Sequence, residues 1–257
     1  MERSGIRRLY LGTSGYVYRH WRHGVFYPEG LPQREELAFY GSRFNSVELN
    51  APFYRLPTRE HFVRWREQTP GDFVFAVKAS RTISHYKRLR HCAPQVGEFL
   101  AAARGLGSKL GVILCQLPPT FGLDLQRLED FLQTLPASPP WVFEFRNPGW
   151  LTDSVLALLS RYRAGFCIPI GGRLRLEAVA ATGGLGYFRF HQGAGKDGRF
   201  TARELGRWAD EIHELLPGRT IYAFFNNDWR GFAPHDALRL RSLLEDPVSP
   251  PVSRARR

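Results

Sequence analysis

The 257 residues carry 36 Lys plus Arg against 24 Asp plus Glu, a formal net charge of +12, with 43% hydrophobic and 23% charged residues. That balance speaks against a disordered chain, which would be poor in apolar residues, and the length suits one large domain or two small ones, single α/β barrels included. Three scattered cysteines (Cys92, Cys115, Cys167) with no CxxC pair fit a reducing compartment and argue against a disulfide framework or a cysteine-built zinc site. The charged segment Met1 to Arg8 precedes no apolar h-region, and no run of about 18 apolar residues follows anywhere. The expected location is therefore cytoplasmic.

In chain order, short apolar or alternating runs mark strands at Leu9–Ser14, Ser46–Asn50, Phe73–Ala79, Gly111–Leu117, Trp141–Arg146, Gly165–Ile170, Gly186–His191 and Ile221–Asn227. Amphipathic patterns between them predict helices. Gln33–Arg43 follows Pro32, which suits an early helical position. Thr58–Gln68 opens on an N-cap Thr and places Phe62 and Trp65 on one face. Further helices are expected at Pro94–Gly105, Leu125–Leu135, Asp153–Arg163, Thr201–Leu216 and Pro234–Glu245, and Arg173–Gly183 is weak or not helical at all. Strands alternating with helices mean βαβ units and a parallel sheet, and eight such strands give an α/β fold of the (β/α)8 TIM-barrel type. An open doubly wound sheet competes, but no G-x-G-x-x-G follows the first strand. No internal linker appears, so residues 1–246 read as a single barrel domain and Pro247–Arg257 as a flexible Arg/Pro/Ser tail.

Side chains alternate faces along a strand, and this parity exposes a polar ring. Phe143 and Phe145 share a face opposite Glu144 and Arg146. Val47 and Leu49 oppose Glu48 and Asn50, Phe75 and Val77 oppose Lys78, Cys115 and Leu117 oppose Gln116, and Phe188 and Phe190 oppose Arg189 and His191. The last strand ends in Asn226 and Asn227, one on each face. If the apolar faces pack on helices, the polar ends point into the barrel at its C-terminal rim, where barrel enzymes place their active sites. Buried charges must pair or meet a ligand, so the alternative is a self-satisfied lattice such as Glu144–Arg146 or Glu48–Lys78.

At these strand ends the sequence resembles the domain-of-unknown-function family 72, also called YecE-like. The resemblance runs from about Leu9 to Leu244. It is carried by Gly12-Thr13-Ser14-Gly15-Tyr16, Phe26-Tyr27-Pro28, Phe44-Asn45-Ser46-Val47-Glu48-Leu49-Asn50, Phe53-Tyr54-Arg55-Leu56-Pro57, Phe75-Ala76-Val77-Lys78, Gln116-Leu117-Pro118-Pro119, Glu144-Phe145-Arg146 and Phe225-Asn226-Asn227-Asp228. It implies a TIM barrel and leaves the activity open. The chain departs from the family pattern at Tyr16, where Trp is usual, at Asn147, where His is common, and at Ile168-Pro169, where Asp often stands. After the seventh strand, His191-Gln192-Gly193 replaces His-Gly.

Three readings of the chemistry follow. The first is a hydrolase or lyase for an anionic, phosphate-bearing substrate. In it Lys78, Arg146 and Arg189 hold the anion, Glu48 or Glu144 is the general base, and His191 is the general acid. Asn50, Tyr54, Gln116, Asn226, Asn227 and Tyr16 line the site, with His85 and Arg88 as a lid. The second is a glycosidase using Glu48 and Glu144, with Tyr16, Trp21, Tyr54 and Trp150 stacking on sugar. The third is a non-catalytic nucleic-acid or ligand binding module, for which the basic stretch Arg81, His85, Lys87, Arg88, Arg90 and His91 is the footprint. No HExxH or paired His spacing occurs, so neither metal nor cofactor is expected; a Glu48–Glu144–His191 metal site is the weaker alternative. His61, His213 and His235 fall on predicted helix surfaces, Cys115 and Cys167 read as buried fillers, and Ser14 reads as a turn residue because Thr13-Ser14-Gly15 is no nucleophile elbow.

Overall fold

A computed structural model describes residues 9–171 and 181–245. Eight parallel strands curl into a barrel: β1 Leu9–Thr13, β2 Ser46–Leu49, β3 Val74–Lys78, β4 Leu110–Leu117, β5 Trp141–Phe145, β6 Gly165–Ile170, β7 Leu185–Phe190 and β8 Thr220–Phe225, in the order β1-β8-β7-β6-β5-β4-β3-β2. The helices α1 Glu36–Arg43, α2 Ala51–Tyr54, α3 Arg59–Glu67, α4 Ala93–Ala103, α5 Leu125–Gln133, α6 Asp153–Arg161, α7 Ala202–Leu215 and α8 Phe232–Glu245 lie between or after them. The expected TIM barrel is therefore the fold. The expected Arg173–Gly183 segment and the Pro247–Arg257 tail fall almost wholly outside the described residues.

The barrel closes at the β1–β2 seam, which side chains complete. Only Ser14 bridges to Glu48 there, and the Gly15 amide donates to the Glu48 carbonyl at 2.8 Å. Asn45 fills the gap lower down, accepting from the Leu11 amide at 2.9 Å and donating to the Leu9 carbonyl at 2.8 Å. Tyr40 of α1 reaches the same seam: its hydroxyl accepts from the Thr13 amide at 2.8 Å and donates to the Ser46 carbonyl at 3.0 Å. These bonds satisfy backbone groups that would otherwise be buried unpaired. Gly12 is what lets the strands come this close, because a Cβ there would sit 1.9 Å from the Ser46 carbonyl oxygen.

Side chains from the two faces build two cores. The outward faces, with Val47, Phe75, Phe143, Phe145, Phe188 and Phe190, pack against the helices. The inward faces place Ala76, Val112, Leu114, Val142, Cys167 and Tyr222 within the lower barrel. The polar residues of the parity argument form the next layer up, toward the strand C-termini.

Some local expectations shift. Thr58 stands at the N-cap of α3, but its hydroxyl meets His61 Nδ1 at 3.1 Å instead of capping an amide. Side-chain capping is present elsewhere, in the Thr201–Glu204 box of α7, at Asp124 of α5 and at Thr152 of α6. The Gln33–Arg43 helix begins as a 3-10 turn, and the four-residue α2 after β2 has no periodic signature to read. His61, His213 and His235 are exposed, and Cys115 and Cys167 are buried free thiols.

Candidate functional site

Strand parity delivers Glu48, Lys78, Gln116, Glu144, Arg189 and His191 to one connected cluster at the C-terminal rim. Arg189 lies at its centre and is 2% exposed. One end of its guanidinium donates to Glu144 Oε2 at 2.6 Å, the other to Glu48 Oε1 at 2.7 Å and to Ser14 Oγ at 2.9 Å. Glu48 also accepts from the Ser14 hydroxyl and, at 2.6 Å, from the Tyr187 hydroxyl. Glu144 further accepts from Gln116 Nε2 at 2.8 Å and pairs with Arg146 Nε at 2.7 Å. Both carboxylates are fully buried. A buried charge is tolerable only when paired and hydrogen-bonded, and here every carboxylate oxygen has a donor.

The electrostatics follow. Burial alone would push the Glu144 carboxyl up, but Arg189, His191 and Arg146 outweigh it and hold Glu144 well below the usual carboxylate range. Burial moves the Tyr187 hydroxyl upward, and the adjacent Glu48 charge adds to that, so Tyr187 stays a donor. Burial lowers His191 below its ordinary value; Glu144 opposes the shift, and Arg189 and Arg146 add to it. His191 is therefore a neutral imidazole at pH 7. Its Nδ1 lies 3.1 Å from Asn226 Nδ2, a donor, which assigns the ring proton to Nε2, 3.3 Å from Glu144 Oε1. Arg146 NH2 lies 3.2 Å from the same Nε2.

Lys78 ends the chain of contacts. Its ammonium donates to Gln116 Oε1 at 2.9 Å and stands 4.1 Å from the centre of the Phe53 ring. The expected Glu48–Lys78 pair is not formed, because Arg189, longer and planar, takes Glu48 from across the barrel. The expected Glu144–Arg146 pair is present. Burial and the Arg189 charge lower Lys78 to about 8, with Glu48 and Glu144 opposing. The ring thus sets three cations (Lys78, Arg146, Arg189) against two carboxylates, an excess of one positive charge with His191 neutral.

The remaining candidates divide. His85 lies beside this end, edge-on to Phe53 at 5.0 Å, and burial and the Lys78 charge lower its pKa. Tyr54, at the end of α2, is 65% exposed and packs on the other side of Phe53. Asn50 donates to Ser14 Oγ at 3.4 Å. Tyr16 turns away from the ring: its own ring tilts against Tyr40 at 6.2 Å, and burial pushes its hydroxyl up to about 12. Asn227 also points away, donating to Asp236 at 2.9 Å and tying the end of β8 to α8. Trp21 and Trp150, read as sugar platforms, are fully buried in the core, so neither offers a face to a ligand. Arg88 is exposed and reaches Thr120 at 3.4 Å.

Two contributors, Tyr187 and Tyr18, carry no signal noticed in the sequence, and a third, Ser14, is expected there only as a turn residue. Tyr187 shares a face with Arg189 two residues on, a signal its aromatic character hid. Ser14 has the same parity as Tyr10 and Gly12, and it serves both Glu48 and Arg189. Tyr18, after the Gly15 turn, donates to the Ser14 carbonyl at 2.6 Å and walls the mouth. Surface hollows lie away from the ring. One, of about 540 Å3, is lined by Arg90, His91, Asp124 and Arg127, and another, of about 550 Å3, by Lys196, Arg199 and Arg239. Arg127 already pairs with Asp124, and Arg199 and Arg239 with Asp236. Among the described residues no three His, Cys, Asp or Glu side chains converge as metal ligands, and no helix is long and apolar enough to cross a membrane.

A family model described as "Protein of unknown function DUF72" matches residues 10–256. The chain is 42% identical over 129 residues to UPF0759 protein YecE of Escherichia coli (strain K12), a match spanning 50% of this chain and 46% of that protein. The match thus covers about half the length of that relative. UPF0759 protein YunF of Bacillus subtilis (strain 168) is 25% identical over 272 residues, covering 92% of this chain and 95% of that one. The crystal structure of a DUF72 family protein (TM1631) from Thermotoga maritima MSB8 superposes with a TM-score of 0.83 at 27% identity, over 93% of this chain and 99% of the other.

Proposed function

The chain belongs to the family described as protein of unknown function DUF72, and from that premise we propose that its barrel mouth binds a small phosphate-bearing anion and acts on it by acid–base chemistry. The observation that carries this reading is the unbalanced charge of the ring. Lys78 is only 8% exposed and, among the described residues, has no carboxylate within salt-bridge distance. An uncompensated buried cation is costly, and an anion docking there removes the cost. Arg146, half-open and tethered through one nitrogen to Glu144, adds a guanidinium edge suited to phosphate oxygens.

The glutamates support this chemistry indirectly. A carboxylate whose oxygens already receive charged donors, and whose pKa is depressed, is a poor proton acceptor. Glu144 therefore orients His191, Arg146 and Arg189, and Glu48 fixes Arg189 from the other side. His191, held by Glu144 and Asn226, is left as the proton-transfer group, since a neutral imidazole can accept a proton and return it. Direct anion contact by Arg189 is disfavoured because both ends of its fork are occupied by carboxylates. The same fork fills the space between Glu48 and Glu144 that a glycosidase needs for its sugar.

Calorimetric titration of inorganic phosphate into the wild-type chain and into Lys78→Met tests the reading. Hydrogen bonds to charged groups contribute about 1.5–3 kcal/mol, so the variant should bind roughly 10–100-fold more weakly. Equal affinity in the two proteins, or no phosphate binding by the wild type, would defeat it.

A further inference from the structure

Anion binding uses Lys78 only as a charge, yet its surroundings differ from those of every other lysine in the chain. There are four: Lys78, Lys87, Lys109 and Lys196. Lys109 is also buried, but its ammonium donates to the Arg66 carbonyl at 2.6 Å, the Thr69 carbonyl at 2.8 Å and the Thr69 hydroxyl at 3.1 Å. Those acceptors fix it as an ammonium. Lys196 is exposed, and Lys87 only grazes the His91 carbonyl at 3.5 Å. Lys78 alone combines burial, one neutral acceptor and an aromatic wall.

We propose that Lys78 is a nucleophile that forms an imine with a carbonyl carbon of the bound anion, so that the ligand class is a phosphorylated aldehyde or ketone. The proposal rests on the anion-binding reading, in which Lys78 draws the anion in and Arg146 holds the phosphate beside it, and adds the carbonyl. A lysine is nucleophilic only when unprotonated, and desolvation beside other cations favours that form. Burial supplies the desolvation and the Arg189 and Arg146 charges add to it, while the Phe53 face, 4.1 Å from the ammonium, works the other way and holds the side chain in place. With the Lys78 value at about 8, roughly one amine in ten is free at pH 7, on the order of 200-fold more than for an ordinary lysine.

The step balances without a cofactor. The Nζ lone pair attacks the carbonyl carbon, the carbonyl electron pair moves to oxygen, and the nitrogen gives up a proton. His85, edge-on to the same Phe53 ring and neutral at pH 7, is placed to carry that proton to the departing oxygen. Carrying that proton and a second one taken from solvent, the oxygen leaves as water, and the nitrogen lone pair closes C=N as an iminium that keeps the remaining nitrogen hydrogen. The iminium then withdraws electrons from the neighbouring carbon, which is the chemistry of carbon–carbon cleavage or isomerisation next to a carbonyl.

The test treats the full chain at pH 7 with glycolaldehyde phosphate or with plain glycolaldehyde, adds borohydride to reduce any imine to a stable secondary amine, and maps adducts on the four lysines by peptide mass spectrometry. The proposal expects Lys78 to be modified at least about tenfold faster than Lys87 or Lys196, a margin kept below the free-amine ratio to allow for restricted access. It also expects the phosphorylated probe to outpace the plain one and inorganic phosphate to slow it. Adducts on Lys87 and Lys196 with Lys78 lagging would overturn the imine; phosphate binding seen by calorimetry in the same sample would show that the anion reading survives without it. Preferential Lys78 modification that is indifferent to phosphate would uphold the imine and remove the anion reading instead.

Discussion

Replacing Arg189 by Met removes the one side chain that joins both buried glutamates while keeping most of its length and apolar stem. Three contacts go at once: Glu144 at 2.6 Å, Glu48 at 2.7 Å and Ser14 at 2.9 Å, all among side chains no more than 2% exposed. Glu144 keeps Arg146, Gln116 and His191, but Glu48 is left with two neutral hydroxyls, Ser14 and Tyr187. Breaking a buried ion pair by deleting one partner costs about 3–5 kcal/mol, a large share of the roughly 5–15 kcal/mol that holds a domain folded. The effect has a pH signature. In the wild type Glu144 has a folded value below its unfolded one, so its stabilisation is present above the unfolded value, about 4.3, and is lost as pH falls through the folded value. In the variant that depression is weakened and protonation relieves the unpaired charge. The deficit is therefore full at pH 7 and narrower at about pH 3.5, below that unfolded value. Urea denaturation followed by circular dichroism at both values measures it. A deficit under about 1 kcal/mol at pH 7, or one that stays constant between the two values, would refute the claim that Arg189 neutralises a buried carboxylate pair.

Further outcomes follow from the same geometry. Gly12→Ala should destabilise by about 1–3 kcal/mol or abolish folding, since its Cβ would sit 1.9 Å from the Ser46 carbonyl oxygen; a melting temperature equal to wild type would show that the seam can widen. Asn45→Ala removes both side-chain bonds that patch β1 to β2 and should cost roughly 2–3 kcal/mol by chemical denaturation, with amide exchange quickening first at Leu11. Tyr187→Phe deletes one charge-assisted bond to Glu48 and should cost about 1.5–3 kcal/mol in the same assay. His191, lowered by burial, should titrate below 6.5 in a proton–carbon NMR titration. Because the unfolded chain binds that proton more readily, His191 destabilises the fold as pH drops through this window, and a value above 6.5 would contradict its placement.

Much of the site was legible because strand parity is a strict rule. The pattern Phe143-Glu144-Phe145-Arg146 fixes which residues share a face whatever the loops do, and the barrel follows from eight such runs separated by helices. What parity does not carry is the partner of each group across the barrel. Glu48 pairs with Arg189, 141 residues away, because a guanidinium reaches the barrel axis and lies flat between two carboxylates, whereas Lys78 is drawn to Gln116 and Phe53. The same rule placed Asn226 and Asn227 on opposite faces, and only Asn226 meets His191. Tyr16 and Tyr18 lie beyond the strand, past Gly15 at φ +90°, where parity ends and a turn decides which ring faces the mouth. Trp21 and Trp150 show the usual fate of large aromatics, which is the core.

The central claim is that an excess of buried positive charge at the barrel mouth holds an anion. Crystals of the wild-type chain soaked in arsenate, with data collected at the arsenic absorption edge, test it most directly. An anomalous peak is expected within hydrogen-bonding reach, about 3.2 Å, of Lys78 Nζ or the open edge of Arg146. A mouth without that peak, with arsenate instead beside Arg199 and Arg239 in the outer hollow, would contradict it.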